Sequence, residues 1–394
     1  MSRSNDPGHY FQTTSSLEES ARKASKSKNT KGNPTKLPSK ILALVADPHN
    51  EEHVYVAEAA GSVKHINIEV GQTSAPKLKL HVVVPTSKVA AAFTGPVAPL
   101  TSIAVSAKSG TLFASCWDKS IWSWSLASRK PSTRFQGHSD FVKAIITFTL
   151  HGKEVLVSAS QDASIIVWDV ATGTKLHTLK GHTRGILALA LDPMDYEPGN
   201  DTATVFSAGS DREIRRWKIS LSSASEMQPS PIIAHETSID ALHFDSDGDL
   251  WTASADKTAK CLSRGRDWDE DSKFEHPDFV RDVAIDEHGG WVITACRDEE
   301  VRVWEKASGK LHHTFTGHFE EVTGLLLMGQ RIISVGIDAT VRQWSLKPQE
   351  LAKAIQEAED ERLGQEKDKE PERKEGMMTA EEEAELAELL EDSD

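Results

Sequence analysis

Residues 156–170 read LVSASQDASIIVWDV. Two short runs of apolar and β-branched residues flank a polar turn at Gln161-Asp162-Ala163. β-Branched side chains fit a pleated strand better than a helix, and a polar turn between two such runs makes a hairpin. The pattern returns as ITACRDEEVRVWEK at 293–306 and ISVGIDATVRQWSL at 333–346. In each, a Trp stands six residues after the turn Asp: Asp162 and Trp168, Asp298 and Trp304, Asp338 and Trp344. The same interval separates Asp118 from Trp124 and Asp211 from Trp217. Four residues before most of these Asp sits a hydroxyl: Ser158, Ser207, Thr294 and Ser334. Further upstream lies a His, usually behind a Gly: His138, His182, His276 and His318. One more copy, His235, Thr252 and Asp256, has Leu262 where the Trp belongs.

Short strands repeating at this period, with a Gly-His and a Trp-Asp in the unit, are the signature of a propeller blade. The chain resembles the WD-repeat β-propeller family over about residues 41–346, and 156–169 is close to a blade of the G-protein β subunits. The resemblance implies an all-β, seven-bladed propeller. The first blade starts at Ile41, and the others start near Leu100, Phe141, Gly185, Ser238, Phe279 and Glu321. Blade one is degenerate, with Ala60 for Asp and Ile66 for Trp. Blade two has Gly95-Pro96 for Gly-His and Ala114 for Ser. Blade seven has three strands before Lys347, so its outer strand must come from elsewhere. The segment before Ile41 (PTKLPSK) is the first choice, with HYFQTT at 9–14 as the alternative.

Composition divides the rest. The 394 residues carry a formal charge of −15, with 38% hydrophobic and 27% charged residues. Residues 1–40 hold eight Lys/Arg against three Asp/Glu and are rich in Ser, Asn and Pro, which predicts a disordered head. Residues 349–394 hold six bases against eighteen acids, so 348–394 reads as an acidic tail, partly helical. Leu351, Ala354, Ile355 and Ala358 share one helical stripe there, and Thr379 with Glu382 fits a capping box. No apolar run is long enough to span a membrane, and direct nucleic-acid binding is not expected of an acidic body. Three cysteines, Cys116, Cys261 and Cys296, give neither a disulfide framework nor zinc spacing. The expectation is an intracellular protein, cytoplasmic or nuclear.

Ser207, His182 and Asp211 could be written as a catalytic triad, yet the set recurs in successive repeats. The resemblance implies a structural role: Asp accepts from His, His bonds the hydroxyl, and the hydroxyl meets the Trp indole N–H. No phosphate loop, H-E-x-x-H, C-x-x-C or G-x-S-x-G occurs. No cofactor, metal or small-molecule substrate is expected. His312 and His313 are neighbours on a strand and point to opposite faces, which disfavours chelation.

Carried over from the family, three positions per blade face the loop end. In blades two, three and six they include Trp117; Phe141, Lys143 and Gln161; and Phe279, Arg281 and Arg297. Blade two also gives Thr101, and blades four, five and seven give Leu187 and Ser210, Ser238 and Asp240, and Glu321, Thr323 and Ile337. Aromatic and Arg side chains anchor protein interfaces, so Trp117, Phe141, Lys143, Phe279, Arg281 and Arg297 form the expected docking face for acidic or phosphorylated segments. The function so implied is a non-enzymatic scaffold or adaptor in a larger complex. Two competitors are a ribosome-assembly or chromatin component using the acidic C-terminal helix, and a ubiquitin-ligase substrate receptor. Against the latter, no W-D-x-R motif occurs: Val170-Ala171 follow Trp168-Asp169.

Overall fold

The computed structural model describes residues 14–68, 89–228 and 231–369. Residues 14–346 form one unit. In it, helix α1 (Thr14–Lys26) and a two-residue strand β1 (Thr35–Lys36) precede six sheets of four consecutive antiparallel strands. These are β2–β5 (41–93), β6–β9 (100–136), β10–β13 (142–180), β14–β17 (186–226), β18–β21 (239–275) and β22–β25 (280–316). The seventh sheet joins β26–β28 (322–345) to β1, in the order β1-β28-β27-β26. First strands of successive sheets contact one another around a closed circuit, including β26 with β2. The seven-bladed propeller expected from the repeat is therefore the fold.

Strand alternation puts apolar residues on both faces of each blade, and the core lies between neighbouring blades. Phe135, Val142, Ile145 and Trp168 pack blade two on blade three. Phe206, Leu242, Leu262 and Trp268 pack blade four on blade five. In blade five Leu262 holds the Trp position, and Trp268, from the turn after β20 (Thr258–Ser263), packs against Phe206 with ring centroids 5.0 Å apart. An indole is thus supplied to the interblade core from another strand connection.

The segment before Ile41 closes the ring. Thr35 pairs with Val341 and Lys36 with Thr340, and the Gln343 N–H donates to Gly32 O at 2.7 Å. The buried Arg342 guanidinium donates to the backbone oxygens of Asn29 and Lys31. A Cβ on Gly32, which has φ +69°, would lie 2.8 Å from the Trp344 ring, so only glycine fits. Composition assigned 1–40 to a disordered head. Within the described part, 14–26 are helical and 29–37 run along blade seven, because an open edge strand would leave its donors and acceptors without partners. Helix α1 is tied down by Arg22 and Lys26, both 2.7 Å from Glu299, and by Lys23 on Glu320. Of the alternative donor 9–14, only Thr14 is described, and it starts α1.

The sequence DPMDYEPGNDTAT at 192–204 lengthens a loop of blade four, and its Pro, Gly and acidic residues suggest an exposed excursion, but the loop is held down. The Tyr196 hydroxyl is 3.1 Å from both Thr149 N and Oγ1, and the His151 N–H donates to Asn200 O, pinning the loop to blade three. The second unit contains helix α2 (Pro348–Lys369), which holds the expected stripe of Leu351, Ala354, Ile355 and Ala358. The capping-box segment at 379–382 lies outside the described residues.

Candidate functional site

The repeated polar residues sit where strand pairing places them, and they are buried. In blade three, Trp168 Nε1–H donates to Ser158 Oγ at 2.8 Å, His138 Nε2 is 2.8 Å from that Oγ, and His138 Nδ1 is 3.0 Å from Asp162. An indole N–H only donates, so the hydroxyl gives its proton to Nε2 and Nδ1–H is left for Asp. Blade four repeats this with Trp217, Ser207, His182 and Asp211 at 2.7, 2.7 and 2.8 Å. Blade seven repeats it with Trp344, Ser334, His318 and Asp338 at 2.8, 2.8 and 2.9 Å. Blade five keeps His235, Thr252 and Asp256 without an indole.

Burial opposes ionisation of Asp211, but its bonds from His182 and from the Thr183 and Glu213 N–H groups outweigh this and take it down to about 2. Burial lowers the pKa of His138 and His318. Ser158, Ser207, Thr294 and Ser334 are wholly buried, so none is placed to attack a substrate.

Blade six departs from the expected pattern. Trp304 Nε1–H donates to Thr294 at 2.9 Å and His276 Nε2 is 2.8 Å from it, but His276 Nδ1 faces Phe274 O at 3.1 Å. Asp298 is instead gripped by Arg302, at 2.6 and 3.1 Å. A guanidinium two residues before Trp304 outcompetes a neutral imidazole for the carboxylate. Burial, then the Arg302 charge, depress His276 to about 4. Blade two departs as well: Trp124 Nε1–H donates to Thr94 O at 3.0 Å, and Asp118 takes Trp122 and Arg134.

The loop end is built by two repeated devices. The residue before each turn Asp donates its N–H to a loop carbonyl: Trp117 to Pro99, Gln161 to Phe141, Ser210 to Gly185, Arg297 to Phe279 and Ile337 to Glu321. Each first strand also carries a β-bulge near its start, skipping Thr101, Lys143, Leu187, Asp240, Arg281 and Thr323 in blades two to seven. A bulge re-aims its side chain out of the alternation. The expected face positions are thus all at one end, but they divide into two clusters. Trp117 stacks on Phe141 at 5.1 Å and 15°, with Lys143 Nζ 5.1 Å from the Trp117 ring. Phe279 lies under Arg297 at 5.0 Å and Arg281 at 6.0 Å.

Arg281 does not offer a free charge. It is paired with Asp240 at 2.8 Å and with Glu321. Burial pushes the Asp240 carboxyl up and the Lys143 amine down, and Lys143 acts on the same Asp240. Arg297 is half-exposed, and among the described residues its ion-pair partner is Asp278 at 4.0 Å. In the first cluster Trp117 is 38% exposed, and in the loop before blade two Val97 is 98% exposed.

Sequence reasoning missed two cations. Between blades four and five the loop end opens a cleft of about 610 Å³, lined in part by Arg184, Arg212, Ser210 and Ser238. Both arginines are exposed, and neither side chain has a hydrogen-bond or ion-pair partner among the described residues. Their signal was adjacency: Arg184 stands two residues after His182, and Arg212 follows the turn Asp211.

Among the described residues, two groups of acidic, His or Cys side chains come close enough to hold an ion. One is His182, Asp211 and Glu213; the other is Asp245, Asp249 and Cys261. Their donors are committed: Glu213 to Arg215, Asp245 to Trp251 and Lys306, while burial pushes the Cys261 thiol up to about 12.

Comparison with known proteins follows the repeat. A model described as "WD domain, G-beta repeat" matches at 129–169, 173–218, 228–262, 270–305 and 309–345. An uncharacterized WD repeat-containing protein of Schizosaccharomyces pombe is 33% identical over 402 residues, spanning 99% of this chain and all of that protein. Nuclear distribution protein nudF of Aspergillus niger is 29% identical over 246 residues, 61% of this chain and 47% of that protein. Nuclear distribution protein PAC1 of Arthroderma otae is 28% identical over 249 residues, 61% of this chain and 48% of that protein. The chain therefore spans about half the length of these two.

Proposed function

This chain belongs to the WD-repeat β-propeller family, and on that premise we propose that it is an adaptor whose loop face docks segments of partner proteins within a larger complex. The fold fits a non-catalytic interaction scaffold. One observation carries the finer reading. Trp117, 38% exposed, is stacked on the half-buried Phe141 with the Lys143 ammonium over its ring, and Val97 in the loop before blade two is almost fully exposed. Large apolar groups left in water gain affinity when a partner covers them, which is why such patches mark interfaces. The three buried thiols suit a reducing compartment, which supports an intracellular location. The likeness to nuclear distribution proteins spans only part of each chain, so no role in nuclear distribution is taken from it.

The test is affinity purification with mass spectrometry using three full-length baits: the native chain, a Val97→Asp/Trp117→Ala variant, and Leu311→Asp. Leu311 is an exposed residue on an outer strand. The loop-face variant should lose specific partners and the Leu311 variant keep them. An unchanged interactome in the loop-face variant removes this face from consideration.

A further inference from the structure

We propose that the cleft between blades four and five binds the phosphate of a phosphorylated serine or threonine in the docked segment, with Arg184 and Arg212 as its ligands. This rests on the docking reading and adds a chemical requirement to the segment.

Charge pairing is the first argument. Arg281 is matched by Asp240 and Glu321, Arg302 by Asp298 and Glu300, Arg215 by Glu213 and Glu226, and Arg264 by Asp192. Arg184 and Arg212 face one cleft and are exposed, with their guanidinium groups unengaged by any described residue. Two exposed guanidinium groups that line one cavity and have no partner among the described residues are a favourable place for an oxyanion to bind.

Geometry selects the class of anion. A guanidinium binds oxyanions in bidentate fashion, and two of them use up both oxygens of a carboxylate twice over. A phosphate monoester has three terminal oxygens and about two charges at neutral pH, so it satisfies both guanidinium groups and leaves an oxygen for a hydroxyl. Ser210 and Ser238 supply hydroxyls on the same lining. The Asp211 carboxylate there is filled by His182 and by two backbone N–H groups, so it does not compete for the arginines. Glu236 is the one carboxylate of the lining left exposed, and it tempers the site. A site of two cations and one free acid suits a single phosphate presented by a chain; a polyphosphate would call for more cations. The Trp117 platform on the same face supplies that chain with an apolar anchor.

The experiment uses the purified full chain and an immobilised peptide library with central phosphoserine, phosphothreonine, serine, glutamate or alanine. Inorganic phosphate and inositol hexakisphosphate serve as free competitors. Phosphopeptides should be selected over their unphosphorylated partners, and each of Arg184→Ala and Arg212→Ala should reduce that selection roughly tenfold, the weight of one charge-assisted contact. Glu236→Gln should tighten phosphopeptide binding several-fold. Trp117→Ala should weaken phosphorylated and unphosphorylated peptides alike. Equal thermal unfolding of the native chain and the arginine variants is the control on folding. Three outcomes overturn the proposal. One is phosphate selection that survives the double arginine variant. Another is peptide capture that ignores phosphorylation. The third is binding of the free polyphosphate through these arginines with no peptide selected. In the first two, loss of capture in Trp117→Ala leaves the docking reading standing; its retention removes that reading as well.

Discussion

Replacing Thr294 with Val should destabilise the protein markedly more than replacing Thr252 with Val. The two threonines occupy equivalent positions in blades six and five, and both are wholly buried. Val keeps the shape and removes the hydroxyl. Thr294 accepts from Trp304 Nε1–H and meets His276 Nε2, so the substitution strands two buried polar atoms. Thr252 meets His235 Nε2 and makes a longer bond to Lys260 O at 3.2 Å, a carbonyl on a strand paired on both sides, and no indole reaches it because Leu262 stands in the Trp position. Each stranded group costs about 1–3 kcal/mol, which puts Thr294→Val at roughly 2–6 kcal/mol and Thr252→Val at about 1–3 kcal/mol. Urea unfolding followed by tryptophan fluorescence and by far-UV circular dichroism reads the midpoint, and equal slopes license the comparison. Equal losses, or a larger loss for Thr252→Val, would refute the claim that the hydroxyl is the hub of a Trp–Thr–His chain. A catalytic role for these residues predicts little stability change in either variant.

His276 is depressed from the ordinary 6.5 to about 4, so the unfolded chain binds its proton more readily than the folded one. Stability from this group is therefore full above pH 6.5 and falls as pH drops towards 4, by roughly 3 kcal/mol over the window. Urea melts at pH 7 and 4.5 should show the loss, and His276→Gln should flatten it; a pH-independent midpoint contradicts the burial argument. Arg281→Ala should lower the melting temperature, because it strands Asp240 and Glu321, and leave peptide binding within about twofold, since that charge is already spent inside the face. A large binding loss without destabilisation would return Arg281 to the docking surface. Gly32→Ala forces a Cβ into the Trp344 ring at a positive φ and should cost about 1–3 kcal/mol in the same melts. Deleting residues 1–36 should expose β28 (Thr340–Ser345) as an open edge and drive association, read by size-exclusion chromatography; a monomeric, stable product contradicts β1 as the closing strand.

The seven blades were legible because strand period, turn Asp and Trp recur at fixed spacing. The hydrogen-bond chains of blades three, four and seven were legible for the same reason. Blade six was not: Asp298 and His276 keep their spacing, but Arg302 takes the carboxylate, and spacing carries no information about which donor wins. The closing strand was hard to see because PTKLPSK has little strand character; its pairing is dictated by the open edge of blade seven. At the loop face, one bulge per blade fixed which positions converge. Their charge state depended on neighbours from other blades, as Arg281 between Asp240 and Glu321 illustrates, and such pairs are distant in sequence. Arg184 and Arg212 were missed because their significance lies in lacking partners, a property that only the fold can reveal.

Site-specific photo-crosslinking in the expressing cells tests the docking face most directly. A photoreactive phenylalanine replaces Trp117 in one full-length chain and the outer-strand residue Leu311 in another. Irradiation should join position 117 to a defined partner segment that Val97→Asp abolishes, and position 311 should give no shared product. Crosslinks from 311 but none from 117 would place recognition on the blade sides and contradict the account.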